Sequence, residues 1–207
     1  MIGHRIRRAL VVVCTPVPDS YTAARAQVVI DGLGAAGVEV RVRDLYAEGF
    51  DPHVSAAERR NHLEAGTAPE IADHATDLVW CDTLVLVYPT WWSAQPAMLK
   101  GWFDRVWACG VAWDLPPGAN RLRPRLSNVH RIVVVTTHGS SKLVNSLQGE
   151  AGKRTVTRSL RLMCHWRCRT SWWATYSMDR LDDGDRRSEL HRLERRVARL
   201  TNSTTTG

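Results

Sequence analysis

Lysine is nearly missing from this chain: among its 28 lysines and arginines only Lys100, Lys142 and Lys153 are lysines. Arginine supplies the rest, and against 21 acidic residues it leaves a formal net charge of +7. Guanidinium groups fit phosphates well, so the surplus raises a nucleic-acid reading. The arginines are spread over Arg5 to Arg8, Arg59-Arg60, Arg121 to Arg125, Arg154 to Arg169 and the carboxyl-terminal stretch, without one basic block interleaved with aromatics. The expectation is a solvated surface and no nucleic-acid partner. Part of the charge can serve a phosphorylated cofactor such as a nicotinamide nucleotide.

Long apolar runs are also lacking. None approaches the roughly 18 residues of a spanning helix, so no membrane insertion is expected. Arg5-Ile6-Arg7-Arg8 ahead of Ala9 to Cys14 imitates a signal peptide, but the apolar run is short and leads into Pro16-Val17-Pro18-Asp19, which suits a first strand better. A cytoplasmic protein is the default. The five cysteines, Cys14, Cys81, Cys109, Cys164 and Cys168, are odd in number and scattered, which argues against a disulfide scaffold. Cys164-His165-Trp166-Arg167-Cys168 has no second paired set to complete a zinc site, so no metal is expected. There is no Walker loop and no G-x-G-x-x-G after the first strand, which weakens the triphosphatase and ordinary Rossmann readings.

What the sequence does contain is alternation. Apolar strands at Ala9 to Cys14, Val38 to Val42, Leu84 to Tyr88, Arg131 to Thr136 and Thr170 to Tyr176 are separated by segments of helical spacing. Ala26, Val29, Ile30 and Leu33 form one helical stripe, and Leu190, Leu193, Val197 and Leu200 form the last. Ser55 and Glu58 have capping-box spacing, Ile71 to Trp80 reads as a helix, and another is predicted from about Glu150 to His165. Uninterrupted apolar strands belong to a sheet covered on both faces. Five of them imply one α/β domain with a doubly wound parallel sheet over residues 1–200, followed by a disordered tail at 201–207.

Right-handed crossovers bring the loops after strands one, three and four to one edge of such a sheet, where open α/β sheets bind ligands. These are Thr15 to Thr22, Pro89 to Gln95 and Thr136 to Gly149. Thr15, Ser20 and Thr22, with the free amides of a helix start, suit a phosphate; Ser20 as a helix cap is the competing reading. Thr90, Thr137 and Ser140 add hydroxyls to the crevice. Trp91-Trp92 offers a flat apolar surface and backbone donors for a planar heteroaromatic ring, or else an anchor for packing or dimerisation.

The run Tyr88-Pro89-Thr90-Trp91-Trp92-Ser93-Ala94-Gln95-Pro96-Ala97-Met98-Leu99-Lys100-Gly101-Trp102-Phe103-Asp104-Arg105-Val106 resembles the signature of the flavodoxin-fold NAD(P)H:quinone oxidoreductases, the DT-diaphorase-like family. Asp19-Ser20-Tyr21-Thr22, Asp44 to Pro52, Thr136-Thr137-His138-Gly139-Ser140 and Ser146-Leu147-Gln148-Gly149 follow in the family's order. The resemblance implies a flavodoxin-like sheet of order 2-1-3-4-5 and a flavin, FAD with FMN as the alternative. Pro89, Thr90, Trp91 and Trp92 would wrap its ring, Ser20 and Tyr21 would bind its phosphate side, and Gly139 would let backbone approach the ring. It also implies NAD(P)H as reductant, a quinone or related electron-poor aromatic as acceptor, and a homodimer with flavin sites at the interface, where exposed Trp107 and Trp113 would meet the partner.

The departures fall at the site. Asn145 and Ala151 stand where a tyrosine and a histidine relay a proton in mammalian-type members, His138 replaces one of two paired glycines, and Thr15 replaces a phosphate-side histidine. His138, with an ordinary pKa of about 6.5, or water is then the expected proton source; a solvent-facing histidine without a role is the competing reading. A flavin-binding electron carrier or regulatory subunit is the second functional class, although small flavodoxin carriers are usually acidic and this chain carries +7.

Overall fold

The computed structural model describes residues 4–202. Strands β1 (Arg8–Val13), β2 (Glu39–Asp44), β3 (Thr83–Pro89), β4 (Arg131–Thr137) and β5 (Arg169–Thr175) form one parallel sheet in the order β2-β1-β3-β4-β5. This is the order that the resemblance implies. Seven helices connect or flank the strands among the described residues: α1 (Tyr21–Ala35), α2 (Ala56–Arg60), α3 (Ala72–Trp80), α4 (Ala97–Val106), α5 (Lys142–Leu147), α6 (Ala151–Arg154) and α7 (Asp183–Asn202).

The period of two in an extended chain divides each central strand between two cores. Leu10, Val12, Leu84, Leu86, Tyr88, Ile132 and Val134 face α3 and α4, where Leu78, Leu99, Trp102 and Val106 cover them. Ala9, Val11, Val13, Val85, Val87, Val133 and Val135 face α1 and α7 through Ala26, Val29, Leu33, Leu193 and Val197. Burial on both sides is what the unbroken apolar runs require. No helix among the described residues is long and apolar enough to cross a membrane.

The edge strand β2 is held by charge instead. Arg41 Nη1 and Arg43 Nε donate to the two carboxylate oxygens of buried Asp77, at 2.8 and 2.6 Å. Beside them His74, 5% exposed, accepts the Trp102 indole N–H on Nδ1 at 3.2 Å. Its proton therefore sits on Nε2, which donates to Glu48 at 3.2 Å. Burial, and then the Arg43 charge, lowers its pKa to about 4. An unfolded histidine protonates near pH 6.5, so the unfolded chain binds the extra proton throughout the interval between these values. The unfolding free energy should therefore fall as the pH drops from 6.5 towards 4, by at most about 3 kcal/mol from this group. Urea titrations of wild type and His74→Gln across that range check this; the variant should show a shallower decline.

Local signals behave as expected at several points. Ser55 and Glu58 complete a capping box, and Gly37 takes a left-handed φ of 74° beyond α1. Three segments differ. Residues read as loop include α5, which Ser141 caps by accepting from the Val144 amide. The helix predicted from Glu150 to His165 is broken: Glu150 has φ 46°, α6 lasts four residues, and π and 3₁₀ turns carry the chain to Met163. Periodicity over this stretch does not register a change of helical pitch. Thr201 and Asn202 belong to the last turn of α7 and not to a tail; residues 203–207 of that predicted tail lie outside the described residues.

Candidate functional site

The carboxyl ends of adjacent strands β1, β3 and β4 place the three predicted loops side by side. At the first, Ser20 Oγ accepts from the Ala23 amide at 3.2 Å and lies 3.1 Å from Thr15 Oγ1, so it is the cap of α1. The Tyr21 and Thr22 amides donate to no group among the described residues, which leaves the helix start with its positive end free. Thr22 is buried with Oγ1 3.4 Å from Thr137 Oγ1. Tyr21 turns away, its hydroxyl donating to Arg186 O at 3.4 Å. Buried Arg25, one turn further, donates to Thr136 O, Thr175 Oγ1 and Trp173 O at 2.8 to 2.9 Å and so ties α1 to the ends of β4 and β5.

The second loop is a tight hairpin. The Thr90 amide prolongs the ladder by donating to Thr137 O at 2.8 Å. Trp91 and Ala94 then exchange N–H···O bonds at 3.2 and 3.0 Å around Trp92 (φ 49°) and Ser93 (φ 59°). Two successive positive φ values define a type I′ turn, and non-glycine residues there cost about 1–2 kcal/mol each. Surrounding contacts sustain it. Ser93 Oγ donates to Gln148 Oε1, Gly152 N donates to Ser93 O at 2.9 Å, and Gln95 Nε2 donates to Gly152 O at 2.7 Å. The turn holds the Trp92 indole fully exposed and Trp91 44% exposed, with the Trp92 and Ser93 amides unpaired among the described residues.

In the third loop His138 is 6% exposed, which removes the solvent-facing reading. Its ring stacks on Tyr176 with centroids 4.7 Å apart, Nδ1 lies 2.8 Å from Asn145 Oδ1, and Nε2 lies 3.4 Å from Thr90 Oγ1. Burial draws its pKa below 6.5 despite the Asn145 bond and the Glu150 charge, which favour protonation. The Gly139 and Ser140 amides that follow are also unpaired among the described residues. A side chain at Gly139 would meet Asp179 Oδ2 at 2.7 Å, so that carboxylate also occupies the space a side chain would need.

These pieces enclose a cavity of about 230 Å³. Of the predicted residues, Thr90, Trp92, His138, Gly139 and Ser140 line it. Thr15, Ser20, Tyr21 and Thr22 stand together at the neighbouring start of α1, while Pro89 and Thr137 are register partners beneath the loop and Trp91 closes the turn. Ser93 and Gln148 line the cavity and were not singled out from sequence; Asn145 appeared there only as a departure. Trp107 is not exposed: it is 6% accessible, and the Trp113 indole donates to its carbonyl at 2.7 Å. Helical spacing puts Trp107 one turn beyond Phe103, on the face of α4 that the core covers.

The unpaired amides of Trp92, Ser93, Gly139 and Ser140, next to flat indole surface, suit a planar ring edged with hydrogen-bond acceptors, and the α1 start suits an attached phosphate. The donor set therefore fits a flavin.

Comparison with known proteins agrees with the architecture. A family model described as flavodoxin-like fold matches residues 7–200. The NAD(P)H dehydrogenase [quinone] 1 of Cavia porcellus is 29% identical over 73% of this chain and 60% of its own length. The ribosyldihydronicotinamide dehydrogenase [quinone] of Pongo abelii is 27% identical over 66% of each. The chain thus spans about 60–66% of the length of these relatives. The solved structure of an NAD(P)H:quinone oxidoreductase from Methanothermobacter marburgensis superposes with a TM-score of 0.78 at 24% identity, covering 95% of this chain and 98% of that one. With nearly its whole length matched and its strands wound in the expected order, the chain belongs to the flavodoxin-like fold family.

Proposed function

We propose that this chain is a flavin-dependent NAD(P)H oxidoreductase passing two electrons to a quinone or a related electron-poor aromatic acceptor. The observation that carries the reading is the I′ turn at Trp92-Ser93. It keeps two non-glycine residues in a strained conformation, and what that achieves is an exposed indole and two unpaired amides on residues that line the same cavity as Gly139 and Ser140. Strain of this kind is retained where it serves a ligand. The names of the quinone dehydrogenases similar to this chain point the same way.

When bound, the flavin supplies the hydride acceptor and the two-electron donor. The protein's share is binding and orientation. Trp91 and Trp92 offer ring surface, Pro89 and Thr90 shape the loop, the amides of Trp92, Ser93, Gly139 and Ser140 stabilise negative charge on the ring, and the α1 start with Thr15, Ser20, Tyr21 and Thr22 holds the phosphate side. FAD is the proposed flavin and FMN the alternative. A homodimer with flavin sites at its interface follows from the resemblance, with Trp113 as the more accessible of the two tryptophans named for it.

The purified protein should show two visible flavin bands that bleach anaerobically on adding NADPH or NADH and return on adding a quinone. A colourless protein that takes up neither FAD nor FMN overturns the reading. Flavin that binds without bleaching supports the carrier class. Rates over quinones, azo compounds and nitroaromatics then define the acceptor.

A further inference from the structure

The polar groups around His138 form a chain in which every hydrogen has an assigned place. Asn145 Nδ2 donates to Ser140 Oγ at 2.8 Å and to Ser141 O at 2.9 Å, so Asn145 Oδ1 is the atom that meets His138 Nδ1 at 2.8 Å. An amide oxygen can only accept, which fixes the proton of neutral His138 on Nδ1. Nε2 then carries the lone pair, and the hydroxyl of Thr90 is the donor facing it at 3.4 Å. Having spent its one hydrogen there, Thr90 Oγ1 accepts from Thr136, 2.9 Å away. Thr136 is fully buried and has Thr90 as its hydroxyl's partner, so its orientation is fixed by the cost of an orphaned donor.

We propose that His138 and Thr90 form a proton wire whose direction reverses when His138 is protonated, with Thr136 as the fixed donor that holds the Thr90 oxygen, and that Thr90 is the residue handing the proton to an acceptor bound in the cavity. Asn145 is the positioning residue. With His138 neutral, the Thr90 hydroxyl points at Nε2. Once Nε2 bears a proton it donates to Thr90 Oγ1, Thr136 continues to donate to the same oxygen, and the hydrogen of Thr90 has no remaining direction but the cavity that Thr90 lines.

Delivery balances as a single shift. The Nε2–H bond breaks as that proton joins the Thr90 oxygen, and the original hydroxyl proton of Thr90 passes to the oxygen anion of a two-electron-reduced quinone. His138 is left neutral and is recharged from solvent; the electrons come from NAD(P)H. The inference rests on the cavity being the reaction site. Of the groups around His138, Glu150 favours its protonation and Arg25 opposes it, while Tyr176 and Trp172 present uncharged rings. Burial outweighs Asn145 and Glu150 and holds the His138 pKa below the ordinary histidine value.

Two measurements test this separately. In the flavin-free protein, ¹⁵N imidazole spectra should show His138 as the Nδ1–H tautomer at pH 7.5, and Asn145→Ala should lose that preference. An Nε2–H tautomer in wild type overturns the wire whether or not flavin binds. In the loaded enzyme, quinone reduction should fall roughly tenfold per pH unit above the His138 pKa when proton delivery limits the rate. Thr90→Val should abolish that dependence, and Thr90→Ser should restore it. A wild-type pH profile in Thr90→Val overturns the proposal. Failure of wild type to bind any flavin overturns the functional reading and leaves the tautomer result to be judged alone.

Discussion

Substituting Gly101 by alanine is expected to lower the unfolding free energy by about 3 kcal/mol, although alanine is the better helix former by about 1 kcal/mol. A Cβ at this position would lie 2.3 Å from Pro52 O and 2.4 Å from Pro52 Cβ. The contact cannot relax by a side-chain rotation, because backbone atoms meet it and because Arg105, four residues along α4, clamps the same segment. Its Nη1 donates to Asp51 O at 2.7 Å while Nε and Nη2 pair with Glu58 and Glu70 at 2.8 and 2.6 Å. Urea denaturation of Gly101→Ala against Lys100→Ala is the check. Lys100 is half exposed and pairs with Asp104 across one turn, so its removal should change stability by less than about 0.5 kcal/mol. A Gly101→Ala protein as stable as wild type would refute the close approach of α4 to Pro52.

The largest functional effect is expected at Gln95, which the cavity does not include. Gln95→Leu should weaken flavin binding about 100-fold, equivalent to roughly 2.7 kcal/mol, with a smaller effect on global unfolding. The Gln95 side-chain amide is buried and bridges Gly152 O at 2.7 Å and the Tyr88 hydroxyl at 3.4 Å. Leucine leaves a buried carbonyl unpaired. It also removes one of the two bonds that join this loop to α6, leaving Gly152 N–Ser93 O, so the left-handed pair at Trp92 and Ser93 is less firmly held. Flavin fluorescence titration measures the loss. Affinity within threefold of wild type would show that the turn maintains itself without this brace.

Much of the architecture was legible because it rests on local rules. Leu84 to Tyr88 reads as a doubly covered strand from its uninterrupted apolar character, and it is buried on both sides. Ser20, Ser55 and Gly37 announce helix ends through groups that bond within three or four residues. The fold order came with the long signature from Tyr88 to Val106 and agrees with the observed pairing of β3 between β1 and β4. Less legible was the stretch after β4, where a left-handed Glu150 and a π turn interrupt a period that looks continuous. Trp107 shows the same limit: an indole near a helix end reads as surface until Phe103 is seen against it, edge to face at 6.3 Å.

By itself the sequence determined a doubly wound α/β fold, three loops at one edge and the residue types they carry, because strand and helix periods and cap residues act over a few positions. Only the tertiary structure decided what those residues do to one another. It buried His138 on Tyr176, turned the Asn145 carbonyl to its Nδ1 and set Thr90 across from its Nε2. It also stretched the Trp92-Ser93 turn into a left-handed form braced from Gln148 and Gly152. The Thr90–His138 and Ser93–Gln148 contacts join residues 48 and 55 positions apart. Their orientation depends on which neighbours satisfy each buried donor and acceptor, a condition met only when all the strands and loops are in place.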